Sequence, residues 1–317
     1  MKHDPALARH LLPFLQEACN GRLDAVSWFR ADWQRGGAST ARARWKLDTD
    51  SSRDVIIKFP VIPDELFWTR RLQNSDGSPP DSIPHLFASG MSLGHYDLAW
   101  MVIELLPFGP LGMRWHRDHV PRICQAAARF QLLTNDLAVD DHRLRVESWD
   151  DLLDRSRESV RDNTLANAPR WVTALKRVQR ISDDLVVRWR HRDGSHWIHG
   201  DLHLANAMSR KSTQQGDVVL IDLAEVRCGH WTEDAVFLER QLWGRPDRLD
   251  ETRPVREMAR ARRRLDLVVE EDAHELADIR RILMAATAPA FLRTEGHPRH
   301  LAGALTQLER ALDRVGS

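Results

Sequence analysis

A carboxylate at Asp201, an amide five residues on at Asn206 and a second carboxylate sixteen residues further at Asp222 form a set suited to phosphoryl transfer. That reaction asks for an acceptor hydroxyl aligned with a γ-phosphate and for cations against the phosphate oxygens, and for little covalent chemistry from the protein. In such an order the first Asp orients the hydroxyl and takes its proton, and the Asn and second Asp hold magnesium against the phosphates of ATP. Magnesium is a hard ion that prefers oxygen donors, so an amide and a carboxylate are suitable ligands. A short irregular loop from Asp201 to Asn206 can aim both its ends at one reaction centre. The apolar run 218–221 reads as a strand that delivers Asp222.

Other readings of the same residues are weaker. A lone Asp in a loop is usually a turn or cap residue. A zinc site could collect His196, His199, Asp201 and His203, but no flanking Cys pair or recognisable fourth ligand supports it.

The run His199-Gly200-Asp201-Leu202-His203-Leu204-Ala205-Asn206 resembles the catalytic loop of the aminoglycoside phosphotransferase and choline kinase superfamily. Protein kinases usually carry Arg at the position of Gly200, so the resemblance points to the small-molecule branch. The segment from Ile221 to Asp234 is similar to the Ile-Asp-aromatic segment of that family, with Gly229 and Asp234 in matching places and Leu223 where an aromatic is common. The resemblance implies that Asp234 braces the catalytic loop. His199 then fixes the loop by hydrogen bonding, with a general-base role the alternative.

A nucleotide lobe should precede such a loop. The segment Asp54 to Pro60 is a β-branched strand with one Lys, like the strand whose Lys meets the α- and β-phosphates, so Lys58 takes that role. A helix starting near Pro63 puts Glu65 in its first turn as the partner of Lys58, with Asp64 as the nearest rival. Ahead of the Lys strand, Gly36 and Gly37 allow backbone amides to approach phosphate, and Ser39 or Thr40 adds hydroxyl donors. A Gly-Gly pair is also an ordinary hairpin turn. Leu98 to Pro110 is a buried strand running into a Pro/Gly connection, where by order in the family the backbone of Glu104 to Leu106 meets the adenine.

The 317 residues suffice for two lobes, and 46 basic against 46 acidic side chains give no net field to attract nucleic acid or anionic membrane. No apolar run is long enough to span a membrane. The leucines of the first twenty residues are interrupted by polar ones, so no signal peptide is expected and a cytoplasmic protein is the default. Cys19, Cys124 and Cys228 are far apart and form no Cys-x-x-Cys, which fits reduced, packed thiols. Most of the tryptophans should be packing residues, with Trp100 or Trp115 placed to border the nucleotide.

The expected fold is α+β, a protein-kinase-like two-lobe fold with a small antiparallel-sheet N-lobe over 1–107 and a larger mainly helical C-lobe over 108–317. Helices are expected over 119–133, 148–160, 170–190 and most of 232–315. The basic run 253–264, the acidic run 270–278 and Asp150, Asp151 and Asp154 read as solvated helix faces before they read as partner or substrate sites.

These expectations converge on an ATP-dependent kinase, with GTP as an alternative donor, that phosphorylates a hydroxyl of a small aminoglycoside-, amino-alcohol- or sugar-like molecule with magnesium as cofactor. A catalytically silent nucleotide-binding regulator of the same fold, or a protein kinase, are the alternatives. Gly200 and the lack of an Ala-Pro-Glu segment after Asp222 weigh against the protein kinase. The acceptor and the oligomeric state are left open.

Overall fold

The structure, a computed structural model, describes residues 5–29, 39–139 and 147–315. In chain order the first elements are α1 (Pro5–Ala18), β1 (Leu23–Phe29), β2 (Ser39–Lys46), β3 (Ser52–Phe59), α2 (Pro63–Arg71), β4 (Leu86–Gly90) and β5 (Trp100–Glu104). Helices α3 (His119–Thr134), α4 (Trp149–Asp162), α5 (Ala168–Gln179) and α6 (Ser182–Arg190) follow. Four short strands come next: β6 (His196–Ile198), β7 (Ala207–Ser209), β8 (Val218–Leu220) and β9 (Arg227–Gly229). The remaining helices are α7 (Thr232–Arg240), α8 (Pro246–Thr252), α9 (Pro254–Arg263), α10 (Ala273–Ala286), α11 (Leu292–Glu295) and α12 (Pro298–Val315).

The chain forms two compact units, Met1–Met113 with Ala205–Val226, and Arg114–Leu204 with Arg227–Ser317. This division differs from the expected one, which put the whole of 108–317 in one lobe. The β7/β8 hairpin, with Asn206 and Asp222 at its ends, groups with the sheet unit because it is hydrogen-bonded there. Phe108 and Ser209 exchange main-chain bonds at 3.2 and 2.7 Å, and the Leu220 amide donates to the Ser82 carbonyl at 2.8 Å.

In the first unit the sheet runs β1-β2-β3-β5-β4, each neighbouring pair antiparallel. Strand alternation sorts its faces. Val55, Ile57 and Phe59 of β3 join Trp100 and Val102 of β5 and Leu11 and Leu15 of α1 in one buried cluster. Fully burying each such leucine contributes about 1.5–3 kcal/mol. Lys58, between Ile57 and Phe59, is directed to the opposite face, where Met101 of β5 packs with Val61 and with Leu66 of α2. Trp100 is therefore a core residue of the α1 side.

The second unit is mainly helical, with α3 packed on α9 and α10 on α12. Trp171, Trp189, Trp231 and Trp243 are fully buried there. The helix expected over 170–190 is two helices. A break at Arg180 and Ile181 precedes Ser182-Asp183-Asp184, whose acids suit the positive start of a new helix. Asp150 and Asp151 are exposed in the first turn of α4, where acids complement the positive end of the helix dipole. Among the described residues no helix is long and apolar enough to cross a membrane.

Candidate active site

In the sheet unit, Lys58 Nζ lies 2.7 and 2.6 Å from the two carboxylate oxygens of Glu65. Glu65 reaches it because Pro63 starts α2 with the fixed φ a first helical turn needs, which leaves Glu65 in that turn and turned inward. Glu65 is 3% exposed, whereas Asp64 is exposed to solvent, so the structure pairs Lys58 with Glu65. Burial pushes the Glu65 carboxyl above its ordinary value, and the Lys58 charge opposes that rise. Lys58 Nζ is also 3.9 Å from Asp222 Oδ1. Directly across the β2/β3 ladder from Lys58 stands Thr40, with Ser39 opposite Phe59. Gly36 and Gly37 lie outside the described residues.

The metal-ligand candidates occupy the two ends of one hairpin. Ala207 pairs with Leu220, and one step outward the Ile221 amide donates to the Asn206 carbonyl at 3.0 Å. Asp222 follows at once, with φ 64 and ψ 70. A non-glycine residue in this left-handed region is uncommon, is best tolerated by Asp or Asn, and is frequent at functional sites. The Asn206 side chain is buried and that of Asp222 is 46% exposed. Their amide and carboxylate oxygens are the donors a hard divalent cation prefers, so the residues fit magnesium.

At the β5 exit the main chain is more committed than expected. The Glu104 amide donates to the His85 carbonyl at 2.8 Å and the Leu105 amide to the Asp54 carbonyl at 3.2 Å. The Glu104 carboxylate is held by Arg210. This leaves the Glu104 amide and side chain with structural partners, and Arg210 was not singled out by any sequence signal.

In the helical unit, Asp234 at the start of α7 accepts the His199 amide through Oδ2 and the Gly200 amide through Oδ1, both at 2.9 Å. It is 1% exposed, and burial pushes its carboxyl upward against the pull of His199 and the two amides. Gly200 has φ 80, a conformation that favours glycine and turns the chain sharply into Asp201. His199 is fully buried and its Nδ1 accepts the Asp201 amide at 3.3 Å, so it holds the loop from inside. Asp201 remains partly exposed, with His203 Nε2 3.3 Å from its Oδ2. Gly229 sits in close packing: a Cβ there would lie 2.7 Å from Ile198 Cδ1 and 2.8 Å from Glu233 Oε1, so those side chains would have to shift.

The two stretches that read as solvated faces each give one side chain to internal contacts, Arg262 buried and Glu270 half-buried. Arg262 is 1% exposed and donates to the Val268 carbonyl, while Glu270 accepts from Trp231 Nε1 at 2.6 Å and faces His230 Nε2 at 3.2 Å. The residues His196, Asp193 and Glu270 stand close enough for one cation, but an Arg262 nitrogen lies 3.3 Å from His196 Nε2, which disfavours a second positive charge.

The sequence matches the phosphotransferase enzyme family over residues 34–268, and the chain belongs to that family. It is accordingly placed among the phosphotransferases, and its α+β, kinase-like fold is shared with solved kinase structures. Among solved structures it is similar to the microcompartment-associated aminopropanol kinase, at 15% identity and a TM-score of 0.58 over 95% of each chain. It is similar also to spectinomycin phosphotransferase APH(9)-Ia in complex with ADP and spectinomycin, at 13% identity and a TM-score of 0.52, covering 98% of this chain and 97% of that one. A thermostable mutant of aminoglycoside phosphotransferase APH(4)-Ia, in a ternary complex with AMP-PNP and hygromycin B, shares 14% identity with a TM-score of 0.52, covering 96% and 98%. No curated protein matches the sequence.

Proposed function

We propose that this protein transfers the γ-phosphate of ATP, or of GTP, directly to a hydroxyl of a small molecule, with no phosphoenzyme. The observation that carries the reading is the position of Lys58 in the sheet unit, 2.6 Å from Glu65 and 3.9 Å from Asp222, with Asn206 main-chain bonded beside Asp222. One cation held by a buried carboxylate and facing a more exposed one is the arrangement a polyphosphate needs.

In this reading Lys58 meets the α- and β-phosphates and Glu65 keeps its ammonium in place. Ser39, Thr40, Gly36 and Gly37 cover the phosphates, and the strand exit at Glu104 to Leu106, through the Leu106 main chain, receives the adenine. Asn206 and Asp222 hold magnesium, which supplies neutralisation of the phosphate charge. Asp201 aligns the acceptor hydroxyl and takes its proton as the oxygen attacks. His199 and Asp234 hold the turn that presents Asp201. The acceptor is an amino alcohol, an aminoglycoside or a sugar, in keeping with the aminopropanol, spectinomycin and hygromycin B named for the structural relatives.

ATP and GTP consumption across amino alcohols, amino sugars, sugars and nucleosides tests the reading, with Asp201→Asn and Asp222→Asn as controls. Turnover on one class of acceptor, lost by about 10²–10⁴-fold in Asp201→Asn, is the expected result. Equal activity in all three proteins would sink it. Nucleotide binding without turnover on any acceptor would identify a regulator instead.

A further inference from the structure

Arg210 follows β7 directly and lies four residues beyond Asn206. Its Nε donates to Glu104 Oε1 at 2.8 Å and its Nη2 to Glu104 Oε2 at 2.9 Å, a bidentate pair at the end of β5. Nη2 is shared as well with the carbonyls of Pro80 at 2.8 Å and Ile83 at 3.0 Å. The other hairpin strand is tied to the same segment by the bond from the Leu220 amide to the Ser82 carbonyl. That segment is held in turn from α2. Gln73, just past the helix, donates to the Pro84 carbonyl at 3.1 Å and accepts from the Leu86 amide at 2.9 Å.

A continuous frame therefore runs from the helix that carries Glu65 to the hairpin whose ends are Asn206 and Asp222. The bond between the Ile221 amide and the Asn206 carbonyl fixes those two residues to each other, but not to Lys58. A hairpin of two three-residue strands has little stability of its own, so its place depends on what it docks against. The Arg210 and Glu104 side chains are 27% and 18% exposed, enough enclosure for a fork-to-carboxylate pair to define geometry. Lysine would supply the charge without the planar fork.

We infer that Arg210, clamped by Glu104, is a positioning residue that sets Asn206 and Asp222 against the Lys58–Glu65 pair. The inference rests on the reading of Asn206 and Asp222 as magnesium ligands. Its test is titration calorimetry of ADP into the full chain, in EDTA and in magnesium, for the wild type, Arg210→Gln, Arg210→Lys, Glu104→Gln and Asp222→Asn. Groups that orient metal ligands from behind typically change metal affinity by about 10–100-fold when removed. The gain in ADP affinity on adding magnesium is expected to fall by about tenfold or more in Arg210→Gln and Glu104→Gln, and less in Arg210→Lys. Affinity in EDTA should stay near the wild-type value in Arg210→Gln and Arg210→Lys.

A full magnesium gain in both Arg210→Gln and Glu104→Gln, whatever happens to their melting temperatures, overturns the inference and leaves the clamp a stabilising contact only. If Asp222→Asn also keeps the full gain, the magnesium-ligand reading itself fails and takes the inference with it. Should Arg210→Gln not fold, Glu104→Gln and Arg210→Lys carry the same comparison.

Discussion

The Lys58 ammonium is bound by both carboxylate oxygens of Glu65, at 2.7 and 2.6 Å, across the face of the sheet opposite the α1 core. The pair is asymmetric: the Glu65 side chain is 4% exposed and that of Lys58 is 23% exposed. The carboxylate therefore bears most of the desolvation, and the ammonium keeps an open side toward Asp222. Breaking such a pair by removing one partner typically costs about 3–5 kcal/mol, because a buried charge is left uncompensated.

Lys58→Ala is expected to lower turnover by about 10²–10³-fold, the usual effect of losing one preorganised charge at a transferring group. Glu65→Gln should act in the same direction but more weakly, since the ammonium remains. The pH dependence separates the two roles of Glu65. Its pKa is raised in the folded protein, so its contribution to stability is fully present below the ordinary carboxylate value and is lost as pH rises through the raised one. Nucleotide affinity runs the other way, falling as Glu65 is protonated and releases Lys58. Binding measured from about pH 7 downward should weaken before ordinary carboxylates titrate, and Glu65→Gln should flatten that limb. A wild-type limb unchanged in the variant would assign it to another group.

Asp234 supports a second prediction, on the helical unit alone. It accepts two main-chain amides of the loop that presents Asp201, and it is itself 1% exposed, with the His199 amide buried beside it. Asp234→Ala removes both acceptors and leaves the buried His199 donor unsatisfied, at about 1–3 kcal/mol. Asp234→Asn keeps one acceptor and turns an NH₂ toward the other amide. Both variants should lose turnover and melting temperature together, with ADP affinity kept, because the residues proposed to hold nucleotide are in the other unit. Loss of ADP affinity in a variant that still folds would contradict this division of labour.

What was legible in the sequence was mostly local. Lys58 and Glu65 are seven residues apart, and strand alternation followed by a proline-started helix suffices to bring them together. The bracing role of Asp234 came from the family motif and is carried by two hydrogen bonds. Glu104 and Arg210 are 106 residues apart, and an Arg after a short apolar strand reads as an ordinary turn residue until its partner is known. For the same reason the hairpin 207–220 was assigned to the helical lobe: its own residues do not disclose the Phe108 and Ser82 bonds that dock it. Arg262 is buried where a solvated face is expected, because a charged residue on a helical repeat carries no mark of burial. The break at Arg180–Ile181 was obscured by apolar spacing that continues through it.

The thiols give a third prediction. Cys19, Cys124 and Cys228 are all buried and unbridged. Burial pushes the Cys19 thiol up to about 12 and the Cys124 thiol far above its ordinary value, so neither supplies thiolate near neutral pH. The native protein should resist a disulfide exchange reagent, and denaturant should release all three thiols. Rapid labelling of a thiol in the native state would show that its element opens readily.

His300, near the start of α12, should make the helical unit sensitive to acid. Its ring stacks on Trp243 at 14° between planes, and burial, with Arg240 and His297 nearby, pushes its pKa from 6.5 down to about 4. The folded pKa of this base is depressed, so the unfolded chain binds the proton more readily. Its contribution to stability is then present above 6.5 and is lost as pH falls through the window between 6.5 and about 4. His300→Phe keeps a ring for Trp243 and removes the proton site. Over that window the melting temperature of His300→Phe should fall less steeply than that of the wild type, while above it the two should run parallel. Parallel curves throughout would mean that His300 is protonated in the folded protein as easily as in the unfolded one, and that the stacked ring is open to water.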